Sequence, residues 1–168
     1  MDTGEADKAI MQRENERSRV TAAGKRTDDG TACTLLAVRE TDGIWALYPH
    51  GALLALGSGS RATRNRGSLV ALDAGGAVAG MPLHIDLSAL YAPLHERFGD
   101  LNIEGAFVAD SRLHLLQRGN KGDTTSARID YAWSAVEDWL LGGTKDAPQA
   151  ASAQLLDLGM VDGVPLTP

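Results

Sequence analysis

Two short polar segments flank apolar runs in the second half of the chain, and their residue types could do chemistry. Residues 102–105 (NIEG) open one run, and residues 118–120 (RGN) follow the next. A carboxylate at the start of an apolar strand must be paired, bind a metal or face water, because an unpaired buried charge is unstable. We therefore predict Glu104 as a catalytic residue, either a general base or a metal ligand, with Asn102 as a second metal ligand. A purely structural carboxylate explains the pattern equally well.

Arg118 and Asn120 are the polar residues of the second segment. An arginine can hold an anionic group through two parallel hydrogen bonds, so both residues are predicted to bind substrate. Arg118 could equally neutralise Glu104, and this ion pair is the slightly favoured interpretation. Asn120 stands among glycines, and a turn is the better interpretation of this residue taken alone.

A glycine- and arginine-rich segment lies earlier in the chain, at residues 57–67 (GSGSRATRNRG). Backbone amides and hydroxyl groups beside arginines can cradle a phosphate or a carboxylate. Arg61, Arg64 and Arg66 are therefore predicted to bind an anionic substrate. The segment is not a P-loop, since no Gly-Lys-Ser/Thr follows. A polar hairpin loop with its arginines in solvent is the alternative, which the residues alone favour.

The remaining chemically active side chains give weaker signals. Cys33 is the only cysteine, which excludes an intramolecular disulfide and a cysteine-based metal site, and a small buried hydrophobe is its favoured role. None of the four histidines has metal-type spacing to another. His84 and Asp86 fall on one face of a predicted strand, and a partly exposed strand face is favoured over a base with its orienting acid.

Composition bounds the class of protein. The chain has 168 residues, 43% of them hydrophobic, and a net charge of -6, which indicates a globular acidic protein. Nucleic acid is excluded as the main partner, because phosphate binding requires a basic face. No stretch approaches the ~18 apolar residues of a membrane span, and residues 1–26 lack the apolar centre of a secretory signal. As written, the chain is predicted to be cytoplasmic.

The elements that must position these residues are mostly strands. Residues 1–30 are predicted to form a flexible charged tail or a loose helix, and residues 31–168 the folded domain. Short apolar or alternating runs separated by turn residues predict strands, at 33–38, 44–48, 52–57, 68–73, 77–87, 103–109, 112–117, 127–132 and 154–158. Residues 87–98 and 133–141 have helical spacing instead and predict two short helical segments in loops.

In several runs both the odd-numbered and the even-numbered positions are apolar. This pattern favours strands that are buried on both faces, as in stacked propeller blades. A four-stranded blade takes roughly 40–50 residues, so residues 33–168 would supply about three blades. The sequence thus predicts an all-β fold, a partial propeller with two short helices. Three blades leave open sheet edges, through which copies of the chain could associate.

A family resemblance rests on residues 90–120 (LYAPLHERFGDLNIEGAFVADSRLHLLQRGN) and 50–74 (HGALLALGSGSRATRNRGSLVALDA). These segments resemble a group of uncharacterised bacterial proteins that look like six-bladed propellers, akin to phytase-like, esterase-like and gluconolactonase-type propellers. The resemblance implies that the N/D-x-EG segment, here residues 102–105, starts the inner strand of a blade. It also implies that Glu104 faces a central channel, where it would bind a metal such as calcium or a polar substrate group. Relative to that family the chain is expected to be incomplete.

Three functions follow as hypotheses. The first is a metal-assisted hydrolase of phosphate, ester or lactone bonds, in which calcium acts as a Lewis acid on the substrate oxygen. The second is a non-catalytic propeller that binds a small anionic or polar molecule, or a protein, through its loops. The third is a truncated fragment without independent activity. Whether the chain is an enzyme is left open by the residues.

Overall fold

The computed structural model describes residues 48–119 and 123–159 in full, together with the backbone of four further strand segments at 23–26, 32–38, 160–161 and 164–165. The described part is mostly β, in two antiparallel sheets, a two-stranded ribbon and two α-helices. This confirms the prediction of a mostly β protein with two short helices. The propeller arrangement and its blade count stay a prediction.

The first sheet is a five-stranded meander in which sequential strands pair with one another. Its strands are β1 (Ala23–Arg26), β2 (Ala32–Val38), β3 (Ala52–Gly57), β4 (Arg66–Leu72) and β5 (Val78–Asp86). β1 lies inside the segment that was predicted to be a tail. Its backbone pairs with β2, and such pairing does not require apolar side chains, so the composition of this segment did not predict the strand. The rest of that tail, and most of the predicted strand 44–48, lie outside the described residues.

The second sheet is a four-stranded meander. Its strands are β6 (Ile103–Ala109), β7 (Arg112–Gln117), β8 (Ala127–Ala132) and β9 (Ser152–Leu155), and the ribbon strands β10 (Met160–Val161) and β11 (Val164–Pro165) follow. The turn between β6 and β7 lies where it was predicted. Its residues Asp110 and Ser111 have φ angles of 50° and 56°. Two successive residues with positive φ make the tight hairpin turn whose twist matches that of its strands.

Two helices connect the strands. The first, α1 (Ser88–Arg97), joins the sheets and contains Pro93, and the second, α2 (Trp133–Leu140), follows β8 directly. Both lie close to the predicted boundaries, but they bury apolar side chains in the core and are not peripheral loop elements. Neither of these helices has the length and apolar content to cross a bilayer.

One continuous core joins the two sheets. Inward-facing residues of β3 and β4 pack with those of β6, β7 and β8, and the buried faces of α1 and α2 close its sides. The largest fully buried side chains are Tyr91, Tyr131, Phe98, Leu54, Leu56, Leu69, Leu87, Leu101, Ile103, Leu113 and Leu115. Each sheet therefore turns one face toward this core and presents its opposite face away from it.

Candidate functional site

Glu104 sits in a β-bulge at the start of β6. Ile103 is paired with Gln117 and Gly105 with Leu116, so Glu104 is the extra residue that no residue of β7 opposes. A bulge bends the strand and changes the direction of the side chain at the inserted position. Because of the bulge, Glu104 does not follow the regular alternation of side chains between the two faces of the sheet. Its side chain is 29% exposed.

The structure brings three of the predicted site residues together around this bulge. The Asn102 amide nitrogen donates a 2.9 Å hydrogen bond to Glu104 Oε1. Arg118 Nη1 lies 3.8 Å from the same oxygen. The predicted Glu104–Arg118 ion pair is therefore present, but it is long, and the Arg118 side chain is 42% exposed. Ion pairs of this exposed kind add at most about 1 kcal/mol to stability. Asn120 lies outside the described residues.

Gln117 holds the backbone just before the bulge and just after β7, a role that the sequence did not reveal. Its side chain is fully buried. Its amide oxygen accepts a 2.7 Å bond from the Asn102 backbone N–H, and its amide nitrogen donates to the carbonyl oxygens of Asp100 and Arg118. Because all these partners are backbone groups, Gln117 fixes the position of the bulge without taking part in its chemistry.

Calcium takes about six to eight oxygen ligands. The contacts of Glu104 among the described residues are the Asn102 N–H donor and the Arg118 guanidinium, neither of which supplies an oxygen ligand. Calcium binding at this bulge stays a prediction. Across the part of the chain that the structure describes, no group of three or more His, Cys, Asp or Glu side chains could hold a metal ion.

The three arginines of the predicted anion-binding segment have different surroundings. Arg61 is exposed, and Arg64 donates a 2.9 Å hydrogen bond from Nη1 to Ser60 Oγ. Arg66 begins β4 and is also exposed. Its guanidinium makes no hydrogen bond or ion pair with any residue that the structure describes.

Arg66 lies at the rim of a cavity of about 850 Å³ on the outward face of the first sheet. We call it the first-sheet cleft; its lining residues are Ala55, Gly57, Ala62, Asn65, Arg66, Gly67, Ser68, His84, Ile85, Asp86 and Ser88. Small side chains create this space. Gly67 is required by close packing, since a Cβ there would lie 2.8 Å from the Ala55 carbonyl oxygen.

The polar groups of the first-sheet cleft come from neighbouring strands. Ser68 and His84 are register partners, and Ser68 Oγ lies 3.4 Å from His84 Nδ1. Asp86 Oδ1 accepts a 2.9 Å hydrogen bond from the Ser88 backbone N–H. The hydrogen bonds from Ser88, followed by the nearby charge of Arg66, hold the pKa of Asp86 below its ordinary value. As predicted, His84 and Asp86 share an exposed strand face.

A second polar cluster lies on the outward face of the second sheet and was not predicted. Phe107, His114, Asp130 and Ser152 are successive register partners across β6, β7, β8 and β9, and we call them the His114–Asp130 row. His114 and Asp130 are only 7% and 4% exposed. The His114 ring stacks on Phe107 with 4.5 Å between ring centroids.

Asp130 is the acceptor at the centre of this row. Its carboxylate takes a 2.7 Å bond from His114 Nδ1, a 2.9 Å bond from Ser152 Oγ and a 2.9 Å bond from Arg128 Nε. Burial alone would raise the pKa of Asp130, but the hydrogen bonds from His114, Ser152 and Arg128 outweigh it and leave the pKa below its ordinary value.

The His114–Asp130 row is not a nucleophilic triad. His114 Nε2 points at the Ala109 carbonyl oxygen, 3.3 Å away, and the Ser152 hydroxyl bonds to the carboxylate and not to the imidazole. Both ring nitrogens thus lie beside oxygen acceptors of the protein, so neither is directed at a serine hydroxyl. The row ties three strands together by charge-assisted hydrogen bonds.

Comparison with known proteins places the chain in a family but gives it no activity. No curated protein and no solved structure matches the sequence. A family model described as a family of unknown function, DUF6910, matches residues 28–167. Since the match covers most of the chain, including both helices and every described strand after β1, the chain belongs to this family of unknown function, DUF6910.

Proposed function

We propose that this protein is a propeller-type binding module that holds a small anionic molecule in the first-sheet cleft and does not transform it. The observation that carries the proposal is the Arg66 guanidinium at the rim of the cleft, without a protein partner among the described residues. An unpaired arginine beside a concave surface is suited to a carboxylate or phosphate group.

The rest of the cleft supports this assignment. Its volume of about 850 Å³ falls within the range of small-molecule sites. Small residues form its floor, and Ser68 and His84 supply hydrogen-bonding groups near Arg66. Asn65 also lines the cleft, and its side-chain oxygen is buried without a hydrogen-bond partner in the described chain. A buried polar atom without a partner is uncommon in folded proteins.

The propeller part of the proposal rests on the sheet arrangement. Propeller blades are four-stranded antiparallel meanders stacked face to face. The second sheet is such a meander, and the first contains one in β2 to β5. The two sheets share a core, with β6 against β2. In this arrangement both outward faces would meet further blades or remain open to ligands.

Titration with acetate and with inorganic phosphate, followed by ¹H–¹⁵N NMR of the whole chain, tests anion binding. We expect shifts confined to residues that line the cleft. Arg66→Gln should weaken the binding about fivefold, because a charge-assisted bond at an exposed site contributes about 1 kcal/mol. Arg112→Gln, which removes an exposed arginine of the second sheet, serves as the matched control. Equal weakening by both variants would mean a non-specific charge effect and would refute the proposal.

A metal-independent hydrolase is the second candidate, favoured by the bulge that turns Glu104 toward a half-exposed arginine. Glu104 would take a proton from an attacking water, and Arg118 would stabilise the negative charge that develops on the substrate oxygen. This candidate is framed without calcium, since the described contacts of Glu104 are with the N–H donor of Asn102 and with the guanidinium of Arg118. Hydrolysis of p-nitrophenyl acetate or phosphate that falls at least 100-fold in Glu104→Gln would support this candidate. An unchanged rate in the variant would eliminate it.

A further inference from the structure

Arg66 and Asp86 place opposite charges side by side at the first-sheet cleft without joining them. They are register partners at adjoining ends of β4 and β5, and both line the cavity. The two side chains nevertheless form no ion pair with each other. Opposite charges at this spacing attract one another, and the charge of Arg66 does act on Asp86. Without direct contact between them, the Arg66 guanidinium and the remaining acceptor positions of the Asp86 carboxylate stay accessible to a ligand.

Local structure explains why Asp86 does not turn toward Arg66. Its Oδ1 accepts the Ser88 backbone N–H at 2.9 Å, just where the chain leaves β5 and enters α1. This bond fixes the carboxylate at the helix start, where negative charge is favoured. Arg66 has no comparable anchor among the described residues.

We infer that the ligand of the first-sheet cleft is a zwitterion, a free α-amino acid. Its carboxylate would bind Arg66, and its ammonium group would bind Asp86. This inference rests on the proposed anion binding and adds a second charge to it. A simple monoanion would satisfy Arg66 but would be repelled by Asp86.

The groups that surround this pair agree with a zwitterion. His84 and Ser68 lie next along the same outward face and offer hydrogen-bonding groups. The other lining side chains are small or apolar, apart from Asn65 and Ser88. The cavity of about 850 Å³ also leaves space for the ligand's own side chain beyond the two charges.

NMR or calorimetric titration of the whole chain with L-alanine, acetate and methylamine tests the inference. We expect L-alanine to bind at least fivefold more tightly than acetate and methylamine to bind more weakly than either. Asp86→Asn should abolish the advantage of L-alanine while it leaves acetate binding unchanged or improved. Arg66→Gln should weaken both carboxylates. Asp146→Asn, an exposed acid outside the cleft, is the control and should change nothing.

The possible results separate this inference from the function on which it depends. If acetate binds through Arg66 as tightly as L-alanine does, and Asp86→Asn has no effect, the zwitterion is wrong and anion binding stands. If neither carboxylate binds, or if Arg66→Gln is without effect on both, the proposed function falls together with the inference. The melting temperature of each variant shows whether a loss of binding reflects a loss of fold.

Discussion

Asp130→Asn should destabilise the protein strongly although it keeps the shape of the side chain. In the folded protein the Asp130 carboxylate is 4% exposed and accepts bonds from three side chains. An asparagine retains one of the two acceptor oxygens and replaces the other with an N–H donor. That donor would face Arg128 Nη2, which now lies 3.3 Å from Asp130 Oδ2.

The expected cost follows from these contacts. Hydrogen bonds to a charged group contribute about 1.5–3 kcal/mol each and neutral ones about 0.5–1.5. The 2.7 Å bond from His114, which is nearly buried, loses most from the change. The bonds from Arg128 lose less, since its side chain is 39% exposed and can turn to water. We therefore expect a loss of about 2–3 kcal/mol in the free energy of unfolding.

Urea denaturation at pH 7 and thermal unfolding measure this loss. For a chain of this size it corresponds to a melting temperature lower by about 5–10 °C. Asp146→Asn removes an exposed acid without a described hydrogen bond to its carboxylate and should change stability by less than about 0.5 kcal/mol. The two variants make the same chemical change, so only the surroundings differ.

The pH dependence gives an independent check. Because the pKa of Asp130 is lower in the folded than in the unfolded state, its contribution is complete above the unfolded value of about 3.9 and is lost as pH falls through the folded value. The gap in stability between wild type and Asp130→Asn should therefore shrink below about pH 4. A cost below about 0.5 kcal/mol at pH 7, or a gap that stays constant down to pH 3, would refute the role given to the row.

Three further predictions concern the supports of the two candidate sites. Tyr91→Phe should lower the free energy of unfolding, measured by urea denaturation, by about 1–2 kcal/mol. The buried Tyr91 hydroxyl donates a 2.7 Å hydrogen bond to the carbonyl oxygen of Gly57, which lines the first-sheet cleft. An unchanged urea midpoint would contradict this. Gln117→Leu should lower the free energy of unfolding by about 2–4 kcal/mol. It should also accelerate hydrogen exchange of the Asn102 backbone amide, whose N–H donates to Gln117 Oε1. Exchange of this amide as slow as in the wild type would refute the anchoring role. Glu104→Gln should change stability by less than about 1 kcal/mol, since its pair with Arg118 is long and exposed, and a larger loss in the same assay would show that the pair is structural.

The strands and one hairpin were predictable because their causes are local. Asp110 and Ser111 are polar residues between two apolar runs, and the turn they form needs only positive φ at both positions. The helix α1 was predictable despite Pro93, since the spacing of Leu90, Tyr91 and Leu94 gives it one buried face. That this face packs into the common core of two sheets could not be read from spacing, because the partners lie far away in sequence.

The proximity of Glu104 to Arg118 was predictable for a similar reason, whereas their role as a site stays a prediction. Its members lie at the adjoining ends of β6 and β7, two strands joined by a short turn, so a hairpin alone brings Glu104 near Arg118. The His114–Asp130 pair was missed because its strands are joined by a longer connection, residues 118–126, which leaves their register undetermined. A shift of one residue in β8 would have put Asp130 into the core face and Ile129 beside His114.

The outward faces of the two sheets have a similar register row but differ in how open they are, and residue size accounts for the difference. In the first sheet the register row runs Ala55, Ser68, His84, and in the second it runs Phe107, His114, Asp130. Phe107 stacks on the imidazole and closes the surface, so the polar groups behind it satisfy one another. Ala55 leaves the corresponding space open, and the polar groups beside it remain exposed. The polar groups of the second face therefore stabilise the fold, whereas the first face is the one on which the proposed ligand would reach the Arg66 guanidinium.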